Sequence, residues 1–246
     1  MEPNLYRDDI NHPDAPVETE KDLAQFENEA SAIIKKFRDD SEIILSVDEE
    51  EKLKLFFAIM GFRAKRTADV FEKKTASTEY DSFLFYQKDG NMTDFWKRNL
   101  ALLVNCRSFN EVVNTPDIDK PIKVLMQRDT QGLSGTHFII LESRGKEEFV
   151  LGDCYPVEVR GAEIPFPLYA SFPISPKRLL LQVYNGAENA PYSVLSLGKP
   201  IFRNPFRKLV DGKHKYNIKK VYKAEVEYLN ELVFRHSTEG IIFQHD

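Results

Sequence analysis

Arg63 and Arg66 stand in an apolar stretch, KLKLFFAIMGFRAKRTADVF, running from Lys52 to Phe71. At about 100° of helical turn per residue, Leu53, Phe56, Phe57, Met60, Ala64 and Phe71 share one arc, and Leu55, Ile59, Phe62 and Val70 share the next. Lys54, Ala58, Gly61, Lys65 and Asp69 leave only a narrow polar stripe, which predicts a buried central helix. Both arginines project off that stripe, Arg63 near Phe56 and Ile59, Arg66 near Ile59, Phe62 and Val70. A buried guanidinium cannot lose its charge, so it needs a carboxylate, a phosphate or several neutral acceptors. Two chemistries follow: a structural ion pair or a snorkelling side chain, and an anion-binding centre for phosphate or carboxylate.

Two acids could complete such a centre. A helix from Glu20 to Phe37 aligns Leu23, Phe26, Ala30, Ile33, Ile34 and Phe37 on one face, with Glu27 on its flank. Packed on the central helix, Glu27 would meet Arg63 or Arg66; otherwise it is an exposed flank glutamate. Asp153 ends a strand ahead of Cys154-Tyr155-Pro156, where an acid can orient a base, pair with an arginine or form a turn. Arg63, Asp153 and Glu27 are therefore the catalytic candidates, and with Arg66 they would form one joint centre. The set Asp153, Glu158 and Arg160 lacks the lysine that a nuclease strand carries after its second acid, and is a chance match.

A second candidate is electrostatic. Between Ile201 and Lys223, Arg203, Arg207, Lys208, Lys213, Lys215, Lys219 and Lys220 interleave with Phe202, Phe206 and Tyr216. Cations that neutralise phosphates beside rings that stack on bases are how non-specific single-strand binders are built. Arg207, Lys213, Lys215, Lys219 and Lys220 join Arg63 and Arg66 as ligand-binding candidates, with nucleic acid or a phosphate-bearing ligand as partner. The bland alternative is a solvated loop leading into a helix with a basic outer face.

Composition sets the outer bounds. A chain of 246 residues, 42% hydrophobic and 30% charged, with 18 Phe and 10 Tyr, has the makings of an aromatic-rich core. The net charge of -5 conceals an acidic segment from Glu2 to Glu51 and a basic one from Lys199 to Lys223. No apolar run approaches the length of a membrane helix, and the start is acidic and polar, which together point to the cytoplasm. Cys106 and Cys154 have no CxxC spacing, and the five histidines have no HxxxH or HExxH spacing. No metal site is expected. There is no P-loop, dinucleotide fingerprint or G-x-S-x-G, and no cofactor is expected.

The elements that must position these residues are legible in outline. Residues 1–19 read as a polar arm, and Asp39 to Ser46 as a connector whose Ser46 caps the central helix behind the acids Asp48 to Glu51. Thr93 caps a helix through Asn105 that turns Trp96, Leu100, Leu103 and Val104 inward; Ser108 and Glu111 form a capping box for a helix to Asn114; another follows Pro121 to Arg128. After Gly132 short strand-like runs take over: Phe138–Leu141, Phe149–Leu151, Val157–Val159 and Leu179–Val183. Their short connections favour antiparallel pairing. Pro165 to Pro176 reads as an extended crossing segment, and Ile218 to Phe234 as a closing amphipathic helix. The expected fold is α+β in one domain of 1–246: a helical half over 20–130 wrapped on the buried helix, then an antiparallel sheet of short strands over 131–246 with its C-terminal helix.

Three blocks in order, FFAIMGFRAKRT, FVLGDCYPVEV and FPISPKRLLL, resemble the large bacterial domain-of-unknown-function family 4238. Its members carry an FxxxxxxR helix, a TSDNPV-like strand end and a PLSP block entering a further strand. Here VLGDCYPV stands for the second, with Asp153 and Pro156 retained, and Pro173 to Pro176 for the third. The likeness covers Glu20 to Tyr184. Nothing before Glu20 matches the family's HYVPxFYL-like opening block, so any site residue that block supplies is expected to be missing. The family has no agreed activity, and the resemblance implies the fold rather than a reaction. Two function classes follow: binding or action on nucleic acid or a phosphate-bearing ligand, and a non-catalytic protein-interaction module whose arginines are internal struts.

Overall fold

A computed structural model describes residues 15–63, 92–131, 136–152, 157–160, 167–184, 207–237 and 240–242. The described helices are α1 (Ala15–Asp39), α2 (Val47–Arg63), α3 (Met92–Leu103), α4 (Phe109–Asn114), α5 (Lys120–Gln131) and α6 (Lys223–His236). The strands are β1 (Ile43–Ser46), β2 (Thr136–Ser143), β3 (Leu151–Gly152), β4 (Val157–Arg160), β5 (Pro167–Pro173), β6 (Arg178–Tyr184), β7 (Arg207–Val210), β8 (Lys213–Tyr216), β9 (Ile218–Val221) and β10 (Ile241–Ile242). The fold is α+β. Two compact units divide the chain, one of residues 1–33 and 51–127, the other of 34–50 and 128–246.

In the first unit helical periodicity does the work. Leu53, Leu55, Phe56, Phe57, Ile59, Met60 and Phe62 are all buried, as is Ala58, which the helical wheel assigns to the polar stripe. Phe56 packs on Phe26 of α1 with ring centroids 5.6 Å apart. Trp96 is core rather than a ligand platform: its Nε1 donates to the Phe62 carbonyl at 2.9 Å, satisfying an acceptor in the last described turn of α2.

In the second unit a mixed five-stranded sheet has the order β4-β5-β6-β2-β9. All its neighbours are antiparallel except β9, which runs parallel to β2. Alternation puts Ile139, Leu141, Leu179, Leu181 and Val221 on one face, where they pack with Val226 and Leu229 of α6. Phe138 lies on the other face, edge-on to Phe37 of α1. The proline-rich segment is extended as expected, but it is a central strand of this sheet, with Pro167 and Pro173 at its two ends where a missing donor is tolerated.

α1 starts at Ala15, inside the expected arm, Thr93 lies within α3, which ends at Leu103 rather than Asn105, and the expected strand Phe149–Leu151 is a strand only from Leu151. Two further boundaries differ from the sequence reading for identifiable reasons. The connector at Asp39 to Ser46 contains β1, because Ile43 and Leu45 alternate with Ile44 and bury one side of a strand paired with β8. The closing helix begins at Lys223 rather than Ile218: Glu225 Oε2 accepts from the Tyr222 backbone N–H at 2.7 Å, which starts the helix there and leaves Ile218–Val221 to β9.

Ser46 does cap α2. Its hydroxyl accepts from the Glu49 N–H at 3.1 Å, and its own N–H donates to Glu49 Oε2 at 3.0 Å. Partial burial opposes ionisation of Glu49, but the Lys36 ammonium together with Ser46 outweighs it and holds the carboxyl below its ordinary range. Ser46→Ala should cost about 1 kcal/mol of unfolding free energy by urea titration at neutral pH. Glu49's share is present above the unfolded carboxyl value and lost as pH falls through the lower folded one, so the difference from the parent should narrow in acid.

Candidate functional site

An enclosed polar cluster among the described residues of the second unit is built on a hairpin. Asp211 and Gly212 both take positive φ, 49° and 72°, the left-handed pair of a tight two-residue turn between β7 and β8. Gly212 meets that demand without a Cβ, and Asp is among the residues that tolerate it. The turn sets the register: Arg207 lies opposite Tyr216 and Leu209 opposite His214. On the far side of β8, Ile43 pairs with Tyr216 and Leu45 with His214. Arg207, His214 and Tyr216 consequently share one face of the three-stranded sheet β1-β8-β7.

Glu50, in the first turn of α2, is only 2% exposed and meets that face. Its Oε1 accepts from Arg207 Nη1 at 2.8 Å and its Oε2 from the Tyr216 hydroxyl at 2.5 Å. His214 Nδ1 is 2.5 Å from Oε2, within ion-pairing distance but misaligned for a hydrogen bond. Burial first, and then the Glu50 charge, push the Tyr216 phenol far above its ordinary range. Tyr216 serves here as a hydrogen-bond donor to Glu50. Phe37 packs edge-on against its ring at 5.6 Å.

In the first unit the pair anticipated from the helix faces forms. Arg63 Nη1 donates to Glu27 Oε1 at 2.6 Å, and its guanidinium also approaches Met60 Sδ. Both side chains keep partial contact with water. Arg107, which the sequence reading passes over, is more deeply committed: Nε donates to Glu29 at 3.0 Å, Nη1 to the Val104 carbonyl at 2.7 Å, and the guanidinium lies over the Phe26 ring. Arg66 and Asp153 lie outside the described residues, so the joint centre reduces here to Glu27 and Arg63.

The basic segment does not stay together. Arg207, Lys213 and Lys215 belong to the three-stranded sheet, whereas Lys219 and Lys220 belong to β9 of the five-stranded one, the change of sheet falling at Asn217. Arg207 turns inward to Glu50, while Lys215 pairs with Glu42 and Lys220 with Glu142. Burial pulls the Lys219 ammonium below its ordinary range. Lys208 and Lys213 are exposed and have no carboxylate within ion-pairing distance among the described residues.

A third polar row, which the sequence reading also passes over, crosses the five-stranded sheet. Arg178, Glu142 and Lys220 sit opposite one another on β6, β2 and β9. Arg178 Nε donates to Glu142 at 2.7 Å, and its Nη1 donates to the Phe37 and Asp40 carbonyls at the end of α1, satisfying acceptors that a helix end leaves open. Its place two residues after the PISP block, at the start of an apolar strand, was the available sequence signal.

No described helix is long and apolar enough to cross a membrane. A family model described as a protein of unknown function, DUF4238, matches residues 1–246, a wider span than the Glu20 to Tyr184 blocks suggest. No curated protein and no solved structure matches the chain.

Proposed function

The chain belongs to the DUF4238 family, whose function is unknown, and we propose that it is a non-catalytic protein-interaction module whose arginines are internal struts. The supporting observation is the commitment of buried Glu50: both carboxylate oxygens are engaged, by Arg207 and by Tyr216. Arg63 on Glu27, partly exposed, and Arg178 on Glu142 are likewise guanidiniums paired with a carboxylate. A guanidinium already paired with a carboxylate is a poor receptor for a second anion, because binding would first require that pair to break. We read the module as cytoplasmic, which the buried, unbridged thiol of Cys106 supports.

Binding of nucleic acid or a phosphate-bearing ligand is the competing reading, and it draws on exposed Lys208 and Lys213. Thermal unfolding in the presence of nucleotides, oligonucleotides and inorganic phosphate separates the two, since a ligand of the folded state raises the melting temperature by mass action. The expected result is a flat response at low and high salt. Arg63→Met should reduce stability by about 1 kcal/mol or less, given how exposed the Arg63–Glu27 pair is, and leave that flat response unchanged. A concentration-dependent rise that disappears in a folded Arg63→Gln variant, or when Lys213, Lys215, Lys219 and Lys220 are neutralised together, would overturn the interaction-module reading.

A further inference from the structure

We infer that the free edge of β7 is where this module receives its partner, by adding an extended strand of alternating acidic and apolar residues from another protein. The inference rests on the interaction-module reading and names the surface and the partner chemistry.

The sheet order is β1-β8-β7, so among the described residues β7 has a hydrogen-bonded neighbour on one side only. The two-residue turn makes Val210 and Lys213 the closing, hydrogen-bonded pair of the hairpin, and strict alternation then turns the backbone N–H and C=O of Leu209 toward the open side. An unpaired row of this kind is a template for another strand. Proteins ordinarily blunt such an edge, yet Leu209 is 67% exposed and Val210 47%, and Ile44, on the opposite edge of the same small sheet, is 41% exposed. Leu209 lies on the face it shares with His214, and Val210 lies on the other face with Lys213, so a strand docked on β7 would meet an apolar side chain on either face.

Charge selects the occupant. Lys208 and Lys215 are directly opposed across β7 and β8, and Lys213 shares their face. Like charges so placed repel unless an anion lies beside them, and Glu42 answers only Lys215. A strand docked on β7 would place alternate side chains next to Lys208, where acids are favoured, and the intervening ones next to Leu209, where apolar groups are favoured. A second copy of this chain would instead bring its own Lys208 to the same edge, so charge works against self-pairing.

The test uses a fluorescein-labelled peptide of alternating glutamate and valine, with its scrambled sequence as control, read by fluorescence anisotropy on the full chain. Saturable binding of the alternating peptide is expected, at least tenfold tighter than the scramble. Lys208→Glu should weaken it at least tenfold. Leu209→Pro should abolish binding while leaving the melting temperature nearly unchanged, because the N–H it removes faces the open edge and not the ladder. Val210→Pro, which removes a ladder donor, should lower the melting temperature and so verifies the assigned alternation. Absence of peptide binding by the parent chain, or binding indifferent to Leu209→Pro in a folded protein, would overturn the β7 inference. Concentration-dependent dimerisation lost in Leu209→Pro would also overturn it, by making a second copy the occupant. A flat phosphate and oligonucleotide panel alongside any of these failures leaves the strut reading of the arginines standing, so the two ideas fail separately.

Discussion

Glu50→Ala is expected to lower the unfolding free energy by about 3–5 kcal/mol, the range for removing one partner of a buried charge pair. The deletion leaves Arg207 with a charge and Tyr216 with a hydroxyl facing a site that their carboxylate used to fill. The penalty comes mainly from those orphaned groups and only in part from the lost attraction. Chemical denaturation at neutral pH, with a check that the slope against denaturant is unchanged, measures it. Glu50→Leu combined with Arg207→Met should cost less than Glu50→Leu alone, because removing both charges leaves no unpaired ion. A double variant less stable than that single one would show that the pair contributes more than mutual neutralisation.

Phe37→Ala should cost about 3–5 kcal/mol as well, by the cavity it opens. Phe37 is fully buried and touches two sheets at once, edge-on to Phe138 of β2 and to Tyr216 of β8. Its loss therefore removes packing from the five-stranded sheet and from Tyr216 of the Glu50 centre together. Because Tyr216 belongs to both environments, the Phe37→Ala and Glu50→Ala effects should not add, and a double-mutant cycle should return a coupling of about 0.5–3 kcal/mol. Strict additivity would mean that Phe37 and the Glu50 centre are energetically independent despite their shared tyrosine.

The Arg63 and Arg207 candidates show what sequence can and cannot deliver about a site. Helical phase placed Glu27 on the flank of a helix and Arg63 off the polar stripe of the next, and their pairing at 2.6 Å follows from local periodicity plus the need to satisfy a partly buried charge. Arg207 carried no such signal. It was singled out for its charge among neighbouring cations, and its actual role depends on a glutamate 157 residues away in sequence. Asp211-Gly212 was the overlooked cue: a dipeptide that readily takes two positive φ values, between alternating residues, marks a hairpin. With that turn in place, Arg207 and Tyr216 must share a face and the basic segment cannot be a loop running into a helix.

Local chemistry by itself determined the helices of this protein: the buried face of α2, the inward Trp96, the Ser46 and Ser108 caps and the apolar side of α6 all follow from side-chain period and from the open donors of a helix start. It also determined the α+β class and the presence of strands after Gly132, since strand period and turn residues are short-range properties. Tertiary structure alone decided which strands meet. Ile43–Ser46 pairs with Lys213–Tyr216 across most of the chain, β9 joins β2 in parallel, and a continuous run of cations divides between two sheets at Asn217. The physical reason is that a helix satisfies its hydrogen bonds within a few residues of itself, whereas a strand's partners, and the carboxylate that answers a buried arginine, are chosen by the packing of segments that the sequence leaves far apart.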